Sequence, residues 1–267
     1  MIKRLIFLIL FIPNLAFGQA DTIGLVDVAD VDTCGLVAIE DINTYGLVEV
    51  EVNSCPAYYA DADVTFSWDG DNGSGTKFGC KSDGTTIEGS GSLTPNTSYG
   101  ESGSYGVSLD GTNSIVFATS GDAQINDEIG TVWMRVYISA APDDGVTLFE
   151  GANNAVQDDQ INTLVNVSGA GWINWTESLP YATAGTLTTG SWFNFGVSWN
   201  LSTDNLSAND GAGWDEDAET MDALSNFNEI VIGENNTTAG APGSGKYIYI
   251  DKTVILSTYE AALPANW

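Results

Sequence analysis

The sequence contains no histidine in its 267 residues. This absence excludes Ser-His-Asp and Cys-His catalytic relays, histidine metal ligands and an imidazole proton shuttle. Positive charge is also scarce, because seven Lys and Arg face 36 Asp and Glu, for a formal net charge of −29. Nucleic-acid binding depends on Lys and Arg that neutralise phosphates, so we expect no nucleic-acid partner, and the same reasoning argues against an anionic membrane surface.

The apolar content of the chain predicts a folded core. Apolar residues make up 43% of the sequence and aromatic residues 10%. Disordered acidic tails lack such side chains, because they cannot bury enough apolar surface to offset the entropy of ordering. The negative charge is therefore expected on a folded domain.

The first 18 residues have the features of a signal peptide. Residues 1–4 carry positive charge, and residues 5–17 form an apolar run. Residues 16–18 place small side chains at the positions that a signal peptidase recognises. A membrane-spanning helix needs about 20 apolar residues, whereas this run is shorter and contains Pro13. We predict cleavage after Gly18, export as a secreted extracellular protein, and no membrane insertion after cleavage. Loss of two positive charges would take the formal charge from −29 to −31.

Three cysteines are present, namely Cys34, Cys55 and Cys80. In an exported protein they can form disulfides, and an odd number leaves at least one unpaired or joined to another chain. All three lie in the first third of the sequence, so a bridge is expected to hold the N-terminal part. The preferred pairing is Cys34 with Cys55.

An internal repeat precedes the main domain. Residues 24–34, 35–45 and 46–55 each begin with Gly-Leu-Val and end in a short polar turn, with a period of 11 and one deletion in the third copy. The pattern predicts short strands joined by turns. Units this small bury little surface alone, so residues 24–55 are expected to dock on the main domain, to mediate a homo-oligomer, or to join a neighbour in a fibre.

From residue 58 onward, the sequence is typical of an all-β protein. Short runs rich in Val, Ile, Thr and aromatic residues alternate with clusters of Gly, Asn, Asp and Ser, and helical periodicity is convincing only at residues 216–224. The predicted strands are 64–68, 105–109, 114–117, 131–138, 147–150, 163–167, 171–175, 192–199, 229–232 and 246–256. So many short strands over some 200 residues favour a sandwich or jelly roll.

Five of these segments follow one another as in a known family. Phe-Ser-Trp-Asp-Gly at 66–70 is followed by an Asp-Gly hairpin at 105–117 and a Trp-bearing strand at 131–137. A Gly-x-Trp strand then comes at 189–199, and an Ile-Asp strand at 247–256. The order resembles that of laminin-G-like, concanavalin A-type jelly rolls. One element of that family, Tyr-Val-Asp-Gly, is absent, and residues 200–222 stand in its place.

The resemblance implies an all-β, two-sheet antiparallel jelly-roll sandwich. The predicted organisation is a signal peptide at 1–18, a short repeat segment of β structure at 19–57 and a laminin-G-like domain at 58–267. The family contains both lectins and enzymes, so the fold alone does not decide the function.

The carboxylate pattern argues for binding rather than catalysis. Retaining glycosidases of this fold need two carboxylates about 5 Å apart. The nearest candidates, Glu229 and Glu234, have Val231 where the family's central Asp stands, and their spacing puts them on opposite faces of a strand. The related lyases depend on a histidine, which this chain lacks.

Strand alternation separates core residues from residues that could meet a ligand. In 131–138 and 192–199 the aliphatic and Phe positions share one face, and the other face carries planar and polar groups of the kind that bind sugars. The residues predicted to contact a ligand are Trp133, Arg135, Tyr137, Asn166, Trp172, Asn174, Trp192 and Asn194. Two alternatives stay open: the aromatic rings cover the sheet as structural residues, and Arg135 forms a structural ion pair.

Calcium is the cofactor that the resemblance implies. The matching positions are Asp251 in the Ile-Asp strand, with Asp69 and Asp71 near the first strand. Carboxylates placed close together are stabilised by a cation, although Asp-Gly and Asp-Asn pairs are equally good turn formers.

The sequence therefore favours a secreted, non-catalytic recognition module. Its expected partner is an extracellular glycan or a cell-surface component, with calcium assisting. The alternative is a structural or adhesive subunit of an extracellular fibre or virion-like particle, assembled through the 11-residue repeats. A polysaccharide-degrading enzyme is the third reading.

Overall fold

The structure is a computed structural model. It describes residues 55, 63–71, 77–82, 84–119, 126, 128–153, 156–175, 181–218, 227–233, 240–264 and 267. All of these belong to the unit that spans Ser54–Trp267. The predicted signal peptide, the 11-residue repeats and Cys34 lie outside the described residues.

The described chain forms two antiparallel sheets packed as a sandwich, which confirms the predicted all-β fold class. The larger sheet contains β1 (Val64–Asp69), β2 (Phe78–Lys81), β3 (Thr86–Glu88), β4 (Val107–Leu109), β6 (Ile129–Ile138), β11 (Trp192–Asn200), β12 (Asn205–Asn209), β13 (Trp214–Ala218) and β15 (Ile248–Leu256). Its order is β13-β12-β11-β6-β15-β1-β2-β3, and β4 also pairs with β15.

The smaller sheet faces it across the core. It contains β5 (Ser114–Ala118), β7 (Val146–Asn153), β8 (Val156–Val165), β9 (Ala170–Trp175), β10 (Tyr181–Thr186) and β14 (Glu229–Gly233), in the order β10-β9-β8-β7-β14-β5. Among the described residues there is no helix long and apolar enough to cross a membrane.

The core lies between the sheets and follows the alternation of the strands. In β6 the inward residues are Val132, Met134, Val136 and Ile138, and all four are fully buried. Their partners in β11 include Phe195 and Val197. Because successive side chains of a strand point to opposite faces, the residues between these positions face outward. The predicted core faces of these two strands are confirmed.

Two strands occupy the region where the expected Tyr-Val-Asp-Gly element is missing. Residues 205–209 form β12, and β13 adds an edge strand beside it, with Ser207 opposite Glu216. The helical periodicity at 216–224 therefore does not produce a helix over residues 216–218, which belong to β13, and the rest of that stretch lies outside the described residues. Asp215 and Glu216 are exposed, and such charges on an edge strand discourage pairing with other chains.

The disulfide differs from the predicted one. Cys55 is bonded to Cys80, with a Cα–Cα distance of 5.8 Å. The predicted pairing of Cys34 with Cys55 is therefore wrong. Cys80 lies in β2, so the bridge ties the chain before the first strand to the larger sheet.

The last residues of the sequence cover part of the outer face of the larger sheet. We call residues 257–264 and 267 the C-terminal cover. A second apolar cluster lies beneath it and consists of Val64, Trp133, Val254 and Leu256, with Trp214, Ala261, Leu263 and Trp267 packed against it. The hydroxyls of Ser207 and Tyr259 are hydrogen-bonded at 2.6 Å and anchor the cover to β12.

Candidate ligand-binding site

Three aromatic side chains stand in a row across the larger sheet. The register pairs Trp192 of β11 with Tyr137 of β6, and Tyr137 with Tyr249 of β15. Adjacent rings are 5.7 Å apart between centroids in both pairs. Their strand neighbours Val136 and Ile250 are in the core, so the row lies on the outer face.

Two further tyrosines extend this row. Tyr99 lies 5.2 Å from Tyr249, and Tyr247 lies 6.0 Å from it, between ring centroids. We call Tyr99, Tyr137, Trp192, Tyr247 and Tyr249 the aromatic ladder. Tyr247 is 50% exposed and the other four are half-buried, so the ladder is open to solvent.

The hydroxyls of the ladder are available for hydrogen bonds. Within the part of the chain that the structure describes, the phenol groups of Tyr99, Tyr137, Tyr247 and Tyr249 have no hydrogen-bond partner. Burial raises the pKa of Tyr249 above its usual value, and the neighbouring tyrosines add to the shift. The phenol of Tyr249 therefore stays neutral at physiological pH and can both donate and accept.

Arg135 lies beside the ladder, two residues before Tyr137 in β6. Its Nε and Nη2 donate to the two carboxylate oxygens of Glu101 at 2.8 and 2.5 Å, and its Nη1 donates to Asn194 Oδ1 at 3.2 Å. The hydrogen bond from Arg135 lowers the pKa of Glu101, and the same bond raises that of Arg135. Arg135 and Glu101 are therefore both charged and form an ion pair, as in the alternative that gives Arg135 a structural role.

Asn194 links this pair to the C-terminal cover. Its Oδ1 also accepts a hydrogen bond from Trp267 Nε1 at 3.1 Å. Lys252, which stands opposite Arg135 in the sheet, places its Nζ 5.4 Å from the centroid of the Trp267 ring. The C-terminal cover therefore extends over the sheet as far as Asn194. The aromatic ladder begins with the next outward-facing pair of side chains on the same two strands.

Trp133 belongs to the covered part of the face. Its side chain is 4% exposed, its Nε1 donates to the Ala261 carbonyl at 2.8 Å, and its ring lies 5.2 Å from that of Trp214. A ring in this position packs against the protein's own chain, so Trp133 is not part of the open surface of the ladder.

The remaining predicted residues lie on the smaller sheet. Asn166 forms the turn after β8, because its Oδ1 accepts from the backbone N–H groups of Ser168 and Ala170 at 2.9 and 3.1 Å. Trp172 and Asn174 lie in β9, and their side chains are outside the described residues. The structure thus brings together Arg135, Tyr137, Trp192 and Asn194, and places these other three on a different sheet.

The three aspartates predicted for calcium each serve a turn or a loop. Asp69 Oδ1 accepts from Asp71 N–H at 3.0 Å, and Asp71 Oδ1 accepts from Tyr105 N–H at 2.7 Å. Asp251 Oδ1 accepts from Glu101 N–H at 3.2 Å and also from the hydroxyl of Ser104. In this arrangement one oxygen of each carboxylate is already used by the protein.

Burial dominates the electrostatics of this acidic region. The pKa of Asp69 is raised to about 6, mainly by burial, and the charges of Asp251 and Asp71 contribute to the rise, whereas the hydrogen bond from the Asp71 N–H and the charge of Lys252 oppose it. Burial also raises the pKa of Asp251. Among the described residues, no three His, Cys, Asp or Glu side chains are grouped so that they could hold a metal ion. We therefore derive no step through calcium, which stays a prediction of the sequence.

Comparison with known proteins supports the fold. No family model and no curated protein sequence matches this chain. Among solved structures, Trypanosoma rangeli sialidase aligns with 78% of this chain and 32% of its own, with a TM-score of 0.51 and 12% identity. A structure of botulinum neurotoxin type C, whose cell entry depends on interaction with two ganglioside molecules, aligns with 77% of this chain and 50% of its own, with a TM-score of 0.54 and 12% identity.

A third similar structure is the binding domain of botulinum neurotoxin DC in complex with SialylT. It aligns with 75% of this chain and 49% of its own, with a TM-score of 0.53 and 11% identity. This chain therefore spans between about a third and a half of the proteins it resembles. At such low identity the likeness shows a shared all-β sandwich, which is consistent with a jelly roll at the level of the fold.

Proposed function

We propose that this protein is a secreted, non-catalytic module that binds carbohydrate through the aromatic ladder. The observation that carries the proposal is the ladder itself, an open row of five aromatic rings across neighbouring strands and loops. The apolar C–H face of a sugar ring packs on aromatic surface, and its hydroxyls need nearby donors and acceptors. The unpartnered phenol groups of the ladder supply such donors and acceptors.

The neighbours in structure support the same class of ligand. Of the similar structures, one is of a neurotoxin whose cell entry depends on interaction with two ganglioside molecules, and another is a neurotoxin binding domain in complex with SialylT. A shared fold does not by itself imply a shared function, so these structures are compatible with carbohydrate binding by this chain. For this chain, the rings and hydroxyls on the outer face of the larger sheet supply the contacts that a sugar needs.

Tyr247→Ala tests the proposal on a glycan array. Tyr247 is half exposed, so its removal is expected to weaken glycan binding without lowering the stability of the fold. Val167→Ala is the matched control, because Val167 is a 59% exposed apolar residue in the turn after β8 on the other sheet. Binding that is lost in Tyr247→Ala and kept in Val167→Ala supports the proposal. Absence of binding to any glycan by the unmodified protein overturns it.

The repeat segment supports a second candidate function. A period of 11 over residues 24–55 favours stacking of like units, which is how repeat segments gain a core. We propose that these residues mediate self-assembly in an extracellular fibre or particle. Deletion of residues 24–55 should then abolish oligomers in light scattering, and a protein that is monomeric both before and after the deletion contradicts this role.

A further inference from the structure

We infer that the aromatic ladder selects glycans without acidic sugars, such as neutral hexose and N-acetylhexosamine chains, and disfavours sialylated ones. The inference rests on the proposed carbohydrate binding and names its ligand class. It departs from the similar neurotoxin structures, of which one concerns cell entry that depends on interaction with two ganglioside molecules and another is a binding domain in complex with SialylT. The charges around the ladder favour an uncharged ligand.

The protein has few cations with which to receive a carboxylate. Seven Lys and Arg stand against 36 Asp and Glu, and two of the seven, Lys3 and Arg4, fall in the predicted signal peptide. Of the other five, Lys77 donates to the Gly91 carbonyl, Lys246 donates to Asp143, and Lys81 ends strand β2. The charge of Lys252 lies over the Trp267 ring.

Arg135 is the cation placed best for an acidic sugar, and it is already occupied. Its Nε and Nη2 form a two-pronged pair with Glu101, and its Nη1 is bonded to Asn194. Recognition of a carboxylate by arginine uses the same fork of donors. A sialic acid would therefore have to displace Glu101, whose carboxylate stays close by and repels it.

The carboxylates near the ladder leave a local excess of negative charge. Arg135 and Glu101 cancel each other. Asp251 lies against the Glu101 backbone and interacts with Asp69 and Asp71, and Lys252 offsets only part of the charge of these three carboxylates. Burial raises the pKa of Asp69 and of Asp251, so this excess is largest above neutral pH. A negative sugar approaching the ladder is repelled by this group at distances within a Debye length, which is about 10 Å at 0.1 M salt.

The ladder itself suits an uncharged ligand. Its phenol groups can donate and accept hydrogen bonds, and the Asn194 amide nitrogen adds two N–H donors on the adjoining row. Sugar hydroxyls are met by groups of this kind, and stacking on the rings needs no charge. The outer face therefore offers the aromatic rings, hydrogen-bond donors and hydrogen-bond acceptors that a neutral oligosaccharide needs.

A matched pair of ligands tests the inference. A neutral lactose-terminated oligosaccharide and the same compound with one terminal sialic acid are titrated into the full chain by calorimetry. At low salt the neutral compound should bind at least about fivefold more tightly, from repulsion of the order of 1 kcal/mol. The ratio should shrink at physiological salt, because the charges are partly exposed and screened.

Two variants assign the selectivity to this site. Glu101→Gln removes one negative charge and weakens the interaction of this side chain with Arg135. The substitution should therefore reduce the preference for the neutral compound by about threefold or more. Glu88→Gln makes the same change of charge on an exposed residue of the edge strand β3, and the preference should stay as in the unmodified protein.

The outcomes separate this inference from the proposed function. Equal or tighter binding of the sialylated compound overturns the inference and leaves carbohydrate binding in place. Binding of neither this pair nor any array glycan overturns the proposed function and the inference with it. A preference that is unchanged in Glu101→Gln contradicts the role assigned to the carboxylates.

Discussion

Replacing Trp133 with alanine distinguishes a structural role from the ligand contact that the sequence predicts for this residue. The ring is buried under the C-terminal cover, and its N–H donates to the Ala261 carbonyl. It also lies directly on β11, since a Cβ added at Gly196 would come within 2.7 Å of it. Trp133→Ala should therefore lower the free energy of unfolding and leave carbohydrate binding by the folded protein unchanged.

The magnitude follows from the area that the ring buries. A tryptophan buries about 200 Å² of surface, which corresponds to about 5 kcal/mol at 25 cal/mol per Å². Measured losses for Trp→Ala in cores are about 3–5 kcal/mol, and we expect a value in this range. Trp133→Phe keeps a ring and loses the hydrogen bond to Ala261, so it should cost less, about 1–2 kcal/mol.

Urea unfolding of the unmodified protein, Trp133→Ala and Trp133→Phe measures their order of stability. Glycan titration at a temperature at which all three are folded measures binding. The reasoning is refuted if Trp133→Ala is as stable as the unmodified protein. It is refuted equally if Trp133→Ala loses glycan binding while its stability is retained, because that result assigns the ring to the ligand.

Three further predictions concern the disulfide, the acidic region and calcium. Cys55→Ser opens a bridge with a sequence separation of 25 and should cost about 3.5 kcal/mol in urea unfolding, as reduction of the unmodified protein should; equal stability with and without the bridge contradicts this. Because the pKa of Asp69 is raised from 3.8 to about 6, the folded state holds a proton that the unfolded chain loses, so stability falls as pH rises from about 4 to 6. Asp69→Asn should flatten this part of the pH profile and add at most about 3 kcal/mol at neutral pH, which is the rise in pKa at about 1.36 kcal/mol per unit, and an unchanged profile argues against it. For calcium, a thermal melt with the ion and then with chelator should show a Tm several degrees higher with the ion, and equal melts remove the prediction.

Strand alternation accounts for the part of the site that could be predicted. In β6 the inward positions from Val132 to Ile138 are all aliphatic or Met, so the outward face of Arg135 and Tyr137 follows from a period of two. The same reasoning places Trp192 and Asn194. Applied to the run from Tyr247 to Ile250, it would also have found Tyr247 and Tyr249.

Other features depend on contacts that no local pattern shows. An extra residue at Asp251 shifts the register between Ile250 and Lys252, so Tyr249 and Lys252 face the same side although three positions separate them. The C-terminal cover packs on Trp133 although the two are far apart in the sequence. Tyr99 likewise reaches the ladder from a loop that is distant in sequence from the strands of the ladder. Short strands rich in Asn, Ser and Asp, such as β12 and β13, form because a partner strand is present rather than through their own propensity.

Calorimetric titration of an array-selected oligosaccharide into Tyr249→Ala and Tyr249→Phe tests the central claim most directly. Tyr249 touches three other rings of the ladder, so its loss removes the centre of the stacking surface. We predict an affinity about tenfold lower for Tyr249→Ala, and within about threefold of the unmodified protein for Tyr249→Phe, which keeps the ring. Unchanged affinity in a folded Tyr249→Ala variant would contradict carbohydrate binding at the aromatic ladder.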